Sequence, residues 1–166
     1  MNIRLLNSMD AESYRDIRLE ALQNSPEAFA SSYEEEKDQS IDYFRNKFQL
    51  EDSIAIGAFE RGELVGIVTL LRESLYKLRH RANIVSMYVS SKNRGQGIGT
   101  VLMVEALKKA KEIEGLEQVY LTVVSTNEHA KKVYSSLGFE VIGTEIRALK
   151  LDDNQYYDED QMVLFL

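Results

Sequence analysis

A group of glycines directly after a hydrophobic segment is the feature that most restricts how this chain can fold. Gly95, Gly97 and Gly99 are three of the nine glycines in the 166-residue chain. The apolar segment 84–89 before them predicts a β-strand, and the residues after them have helical spacing. Glycine allows a positive φ and lets a ligand approach backbone N–H groups closely. The order strand, glycine loop, helix therefore predicts an anion-binding loop at a helix N-terminus.

Composition restricts the class of protein further. Hydrophobic residues make up 44% and charged residues 28% of the chain, which predicts one domain with a single core over residues 1–166. No apolar run approaches the ~20 residues that span a bilayer, so no membrane partner is expected. The segment 1–6 is too short and too polar for a signal peptide. We therefore expect a cytoplasmic protein.

Charge and the absence of cysteine exclude several functions. The net charge of −7 disfavours a nucleic-acid partner, which needs a basic surface, and suits a cationic substrate somewhat better. Because the chain has no cysteine, disulfides, thiolate metal sites and a cysteine nucleophile are excluded. His80 and His129 do not have the spacing of metal ligands, and no metal site is predicted.

The first half of the chain predicts two helices and a hairpin. A short strand over 3–6 precedes a helix capped by Asp10 and ended by Ser25-Pro26. A second helix starts at the cap Ser40. Two strands follow, over 53–59 and 64–71, and the turn between them makes them a hairpin.

The second half predicts a strand–helix–strand–helix unit and a closing hairpin. The helix after the glycine loop has apolar residues at helical spacing, and a strand over 119–124 comes next. Asn127 then caps a short helix that Gly138 ends. Strands over 139–149 and 161–166 flank an acidic loop from Asp152 to Asp160. The fold class is therefore mixed α/β. The predicted apolar positions of the helix after the loop are Val101, Leu102, Val104, Leu107 and Ala110.

Three kinds of anion loop could explain the glycines. A P-loop needs Lys-Ser/Thr after its last glycine, but Thr100-Val101 follows Gly99. A dinucleotide-binding loop needs its third glycine three positions after the second, and an acidic residue at the end of the next strand. Gly97 and Gly99 are two positions apart, and the next strand ends without an acid. The first type is excluded and the second is disfavoured.

The third type fits. Arg94-x-x-Gly97-x-Gly99 after a strand resembles the acyl-CoA loop of the GNAT superfamily of N-acetyltransferases. The segment from Asn127 to Phe139 is similar to that family's Asn-x-x-Ala-x-x-hydrophobic-Tyr-x-x-Leu-Gly-Phe pattern at every position. Both elements occur in the family's order, separated by one helix and one strand. The resemblance is specific from about 84 to 139 and loose before that.

The resemblance implies a fold, a co-substrate and binding residues. It implies a mostly antiparallel sheet with a splayed strand pair, helices on both faces, and acetyl-CoA as co-substrate without a metal. Pantetheine would pair with the backbone of the strand before the loop, and pyrophosphate with the loop's N–H groups. Asn127 has two compatible interpretations, helix cap and pantetheine contact; a small Ala130 suits both cofactor passage and simple packing. The implied cofactor-binding residues are Met87, Tyr88, Val89, Arg94, Gly95, Gln96, Gly97, Ile98, Gly99, Thr100, Asn127 and Ala130.

Tyr134 is the implied catalytic residue. It lies one helical turn after Ala130, and the matching tyrosine of the family donates a proton to the departing CoA thiolate. A phenol is protonated at neutral pH and can act as an acid. A core tyrosine packed beside Leu137 is the alternative interpretation.

The acceptor would be a primary amine, either of a small molecule or of a protein or peptide. Without a cysteine, direct attack by the amine in a ternary complex is expected, with a backbone N–H near Met87 or Tyr88 polarising the thioester. No base is evident, because the strand 83–89 has no carboxylate. The weaker candidates for it are Glu34, Glu35, Glu36, Glu73, Tyr88, His80 or a water chain.

Two other functions and one assembly stay open at this point. The first is a non-catalytic acyl-CoA-binding or regulatory module on the same fold. The second is a nucleotide-binding module, which would bind ATP or NAD more tightly than CoA. The closing hairpin could also pair with a second copy of the chain through an exposed edge, giving a homodimer.

Overall fold

The computed structural model describes residues 1–152 and 154–166. Its helices and strands alternate along the chain much as the apolar periodicity predicts. In chain order they are β1 Asn2–Leu5, α1 Ala11–Asn24, α2 Tyr33–Glu36, α3 Ile41–Asn46, β2 Ser53–Glu60, β3 Glu63–Arg72, β4 Arg81–Val89, α4 Ile98–Glu112, β5 Gln118–Val124, α5 Glu128–Ser136, β6 Glu140–Lys150 and β7 Tyr156–Phe165.

The seven strands form one sheet in the order β1-β2-β3-β4-β5-β7-β6. Every neighbouring pair is antiparallel except β4 and β5, which are parallel because α4 connects them. The hairpins β2–β3 and β6–β7 flank this central unit. The predicted mixed α/β fold with a mostly antiparallel sheet is confirmed.

The parallel pair separates soon after it starts. β4 pairs with β5 only over 81–83 and 118–120, although β4 continues to Val89 and β5 to Val124. Beyond the third residue pair, β4 and β5 are no longer paired with each other. The predicted splayed pair is therefore present, and it opens a gap in the middle of the sheet.

Helices cover both faces of the sheet, as expected. One core cluster lies between the sheet and α4, with α5 packed against its margin through Ala130, Tyr134 and Leu137. The other lies under α1 and α3 and includes Tyr14 and Phe44. None of the helices in the described ranges is long and apolar enough to cross a membrane.

Three local predictions differ from the structure. Asp10 makes no side-chain cap hydrogen bond to α1, because its carboxylate binds Arg4 and the N–H of Asn7. On α4, Val101 and Val104 are exposed, while Ile98, Met103 and Ala106 are buried. The buried face is therefore rotated from the predicted stripe.

The predicted acidic loop is the third difference. Much of it belongs to β7, which starts at Tyr156, because Asp158, Glu159 and Asp160 fall within that strand. Position 153 of the predicted loop lies outside the described residues. Strand pairing with β5 and β6 outweighs the low strand propensity of the acidic residues.

We expect α4 to be held on the sheet mainly by its buried face. Leu102 is 0% exposed and Val104 is 50% exposed on the same helix. Leu102→Ala should lower the free energy of unfolding by about 2–5 kcal/mol, because it leaves a cavity in the core. Val104→Ala is the control and should change it by less than about 1 kcal/mol. Urea denaturation measures both; equal losses would contradict this packing.

Candidate active site

The glycine loop presents a row of free backbone donors at the start of α4. Gly97 is the N-cap of this helix, with φ 76°, and a side chain there would meet nothing within 4 Å. Within residues 1–152 and 154–166, none of the backbone N–H groups from Gly95 to Thr100 donates a hydrogen bond. This stretch includes Gln96 and Ile98. Positive φ, open space and free N–H groups at a helix N-terminus form a cradle suited to an anion.

Gly99 has a different role from Gly97. A Cβ on Gly99 would lie 3.1 Å from Cε of Met87 and 3.8 Å from Cγ2 of Val89. Gly99 therefore lets the first turn of α4 approach the end of β4 closely. The side chain of Ile98 is in the core at 3% exposure, so only its backbone is available to a ligand.

The end of β4 carries a β-bulge in its pairing with β3. Val85 pairs with Thr69 and Tyr88 with Ile67, which leaves Ser86 and Met87 as the irregular residues. Ser86 has φ 54°, an uncommon conformation for a residue other than glycine. Bulges redirect the backbone of a strand, and this one lies where β4 has already left β5.

The peptide groups of Val89 also point to the gap. The N–H of Ser90 donates to the carbonyl of Val65 in β3 at 2.9 Å. Because successive residues of a strand direct their peptide groups to opposite sides, those of Val89 face away from β3. The predicted backbone sites at Met87 and Val89 therefore lie on the open edge of β4, whereas the peptide groups of Tyr88 are directed to β3.

Polar contacts from α1 hold the end of β4 and the glycine loop. Glu20 accepts hydrogen bonds from the hydroxyls of Tyr88 at 3.1 Å and Ser90 at 2.8 Å. Arg94 donates through Nε to the carbonyl of Val89 at 3.1 Å, and its guanidinium lies 5.2 Å from the centre of the Tyr88 ring. Its Nη2 is 3.4 Å from Oγ of Ser25. Arg94 thus joins the loop to the end of α1.

The opposite wall of the gap comes from β5 and α5. The side chain of Asn127 accepts a hydrogen bond from the N–H of Ala130 at 3.1 Å, which confirms the predicted N-cap. Ala130 is partly buried against the core. The structure therefore brings Asn127 and Ala130 to the start of α5, immediately after β5 ends.

Tyr134 is partly buried on the inner face of α5. Its ring packs edge-on against Phe139 at 6.2 Å between centroids. Burial raises the pKa of the Tyr134 phenol to about 12, so the phenol is protonated at neutral pH. No hydrogen bond joins its hydroxyl to another residue of the described ranges, and burial is the only cause of the shift. The ring packs beside the core, as the alternative interpretation expected, and the role of the phenol as a proton donor stays a prediction.

A buried carboxylate fixes the start of α5, and sequence patterns gave no sign of it. Asp160 of β7 is 5% exposed. It accepts hydrogen bonds from the hydroxyls of Ser125 and Thr144, both at 2.7 Å, and binds Nζ of Lys131 at 2.9 Å. These donors hold the pKa of Asp160 down at about 2. We call Asp160, Ser125, Thr144 and Lys131 the Asp160 cluster.

A second buried ion pair lies beside the bulge of β4. Glu36 binds Arg18 through two hydrogen bonds of 2.9 and 3.1 Å, and Nη1 of Arg18 is 3.5 Å from Oγ of Ser86. Burial alone would raise the pKa of Glu36, but the hydrogen bonds and charge of Arg18 outweigh it, and the pKa is lowered. A carboxylate so paired is a poor base.

The other carboxylates named as candidates for the base also have partners of their own. Glu34 pairs with Lys37 at the surface, and Glu35 closes a capping box with Ser32. Glu73 accepts a hydrogen bond from Asn83 at 2.9 Å. The sequence named these carboxylates only as weak candidates, because long-range contacts decide what each one does.

The comparisons with known proteins agree with this arrangement. A model of the acetyltransferase (GNAT) family matches residues 16–139. An N-alpha-acetyltransferase of Sulfurisphaera tokodaii is 34% identical over 88 residues, which are 49% of this chain and 53% of that protein. The match thus spans about half the length of the curated relative.

Solved structures share the fold over almost the whole chain. An acetyltransferase of the GNAT family from Streptococcus pneumoniae has a TM-score of 0.85 at 20% identity, with 99% of each chain covered. The structure of yncA from Salmonella typhimurium, determined with its cofactor acetyl-CoA, has a TM-score of 0.85 at 21% identity and covers 100% of this chain and 94% of that one. At these identities the likeness concerns the fold.

We expect the Asp160 cluster to contribute to stability against acid. The pKa of Asp160 is about 2 in the folded chain, below its ordinary 3.8, so folding favours the ionised form. This contribution is present above about pH 4 and is lost as the pH falls towards about 2. Asp160→Asn should therefore flatten the dependence of unfolding free energy on pH in that window. Urea denaturation between about pH 5 and pH 2 measures it. Asp42→Asn, at an exposed carboxylate, is the control, and equal slopes for wild type and Asp160→Asn would contradict the assignment.

Proposed function

Because this chain belongs to the acetyltransferase (GNAT) family, we propose that it transfers an acetyl group from acetyl-CoA to a primary amine. The observation that carries the proposal is a convergence at the gap between β4 and β5. The anion cradle at Gly97 and the open backbone edge at Met87 lie on one side. On the other side, β5 leads directly into α5, which Asn127 caps and which carries Tyr134.

The residues at the gap fit acetyl-CoA. The N–H groups from Gly95 to Thr100 would bind the pyrophosphate, helped by the dipole of α4. The open edge of β4, at Met87 and at the N–H of Val89, would pair with the amides of pantetheine, and Asn127 would contact the same arm. Arg94 is occupied by Val89 and Ser25 in this structure, so its contribution to the cradle includes holding the loop in place.

The chemistry needs an electrophile, a leaving group and a proton donor. Acetyl-CoA supplies a thioester, whose carbonyl carbon the amine attacks and whose sulfur leaves as a thiolate. The backbone N–H at the bulge, at Met87, would donate to the carbonyl oxygen and stabilise the charge that develops there. Tyr134 would give its phenolic proton to the leaving sulfur, since its raised pKa keeps that proton on the phenol at neutral pH. The attacking nitrogen would release its proton to solvent water, and the phenolate of Tyr134 would take a proton back from that water.

The amine would attack directly, with both substrates bound together. The chain contains no cysteine, so an acetyl-cysteine form of the enzyme cannot occur. The net charge of −7 favours approach of a cationic acceptor. The curated relative is named as an N-alpha-acetyltransferase, which supports the α-amine of a protein or peptide as the acceptor.

A panel of amines tests this function. The wild-type chain is assayed with acetyl-CoA and four probes, with thiol release as readout. The probes are a peptide with a free N-terminal alanine, a lysine peptide with a blocked N-terminus, spermidine and an aminoglycoside. We expect transfer to at least one amine and the highest turnover with the free α-amine. Binding of CoA with no transfer to any amine would support a non-catalytic acyl-CoA module instead.

Tyr134→Phe should lower turnover with little effect on the affinity for acetyl-CoA. The variant keeps the packed ring and removes only the proton donor. General acids contribute about 100-fold or more, so we expect kcat to fall by about that factor. Tyr120→Phe, at a strand tyrosine that bonds Gln118, is the matched control. Unchanged kcat in Tyr134→Phe would remove Tyr134 from the mechanism.

Gly97→Glu should abolish binding of CoA. The new carboxylate would fill the open space above Gly97 and repel the pyrophosphate, and the positive φ would add strain. Gly143→Glu adds the same charge at an open position of β6 and should bind CoA like the wild type. Isothermal titration calorimetry measures both. Normal binding by a folded Gly97→Glu variant would overturn the pyrophosphate site.

A further inference from the structure

The Asp160 cluster is a buried charged group that the proposed chemistry does not use. Its carboxylate is 5% exposed and holds donors from three other parts of the fold. Ser125 follows β5, Thr144 belongs to β6 and Lys131 belongs to α5. Burying a carboxylate is costly unless it is paired and hydrogen-bonded, and here every contact is at 2.9 Å or less. Such a group restrains the elements it joins.

The helix that it restrains has little else to fix its orientation. None of the described residues of α5 is fully buried, and Ala130, Tyr134 and Leu137 pack only at the margin of the core. In the part of the chain that the structure covers, Lys131 makes the side-chain hydrogen bonds and ion pairs that join α5 to other elements. Its partners are Asp160 at 2.9 Å and the carbonyl of Ser125 at 3.2 Å.

The position of Lys131 along α5 links this restraint to the site. Tyr134 follows Lys131 by three residues, so the two side chains are neighbours on the helix surface. A rotation of α5 that moved Lys131 would also move the phenol. Ser125, the other end of the restraint, lies two residues before the cap Asn127. The Asp160 cluster therefore restrains the segment 125–131 at both of its ends, at Ser125 and at Lys131.

We propose that Asp160, acting through Lys131 and Ser125, is a positioning residue that holds α5 so that the phenol of Tyr134 faces the gap between β4 and β5. This inference rests on the proposed function, in which Tyr134 gives its proton to the departing thiolate of acetyl-CoA at the gap. The pKa of Asp160 is about 2, so its carboxylate is ionised at neutral pH. The restraint on α5 therefore does not change during turnover.

Three variants test it, with a matched control. Asp160→Asn keeps the shape and removes the charge, and Lys131→Met removes the same ion pair from the other side should the first variant fail to fold. Lys109→Met is the control. Lys109 pairs with Glu112 at 2.8 Å and is 26% exposed, against 2.9 Å and 24% for Lys131. The third variant is Tyr134→Phe, alone and combined with Asp160→Asn or Lys131→Met.

The proposal predicts a separation between turnover and binding. In Asp160→Asn and Lys131→Met, kcat should fall about tenfold, while the Kd for acetyl-CoA by calorimetry changes less than about twofold. Hydrogen exchange should quicken over 128–136 and not over 98–112. Lys109→Met should match the wild type in all three measurements. In the Tyr134→Phe background, the second substitution should lower kcat by less than about twofold, because the restraint acts through the phenol.

Each other outcome overturns a distinct claim. If Tyr134→Phe lowers kcat but Asp160→Asn and Lys131→Met leave it unchanged, or lower it equally in both backgrounds, the positioning role is wrong and the proposed function stands. If Tyr134→Phe alone leaves kcat unchanged, the proton-donor assignment fails, and the positioning role fails with it. Unchanged hydrogen exchange over 128–136 in both variants would show that the cluster does not restrain α5.

Discussion

The structure depends on the separation of two parallel strands after three residue pairs. β4 and β5 pair only over 81–83 and 118–120, so the remaining edge of β4 lies open inside a seven-stranded sheet. Unpaired peptide groups in such a place are unfavourable unless a partner or water meets them. The bulge at Ser86 and the free N–H groups at Gly97 extend the same open surface to the start of α4. A ligand with amides and phosphates would supply the missing partners along its whole length.

Polar contacts fix the elements on both sides of the gap. On the β4 side, Glu20 and Arg94 connect α1 to Tyr88, Val89 and the glycine loop. On the β5 side, Asp160 and Lys131 connect β7 to the start of α5. Apolar packing alone would let each wall settle towards the other, because hydrophobic contacts have little directional preference. The hydrogen bonds give each wall a defined position.

Sequence patterns predicted the fold and the local form of the site. The caps Ser40 and Asn127, the hairpins and the glycine loop depend on neighbouring residues, and the structure confirms them. The Asp160 cluster and the Arg18–Glu36 pair join residues far apart in the chain, and no local pattern identifies such partners. The same reason explains why the acidic segment before residue 161 was predicted as a loop, although pairing with β5 places it in β7.

The central claim is that the open edge of β4 and the N-terminus of α4 together form one binding surface for acetyl-CoA. Amide hydrogen exchange with and without acetyl-CoA tests it most directly, because it reports on the backbone groups themselves. The claim predicts slower exchange at Met87, Val89 and the amides from Gly95 to Thr100, with β6 unchanged. Protection confined to other segments, or no protection at saturating acetyl-CoA, would contradict it.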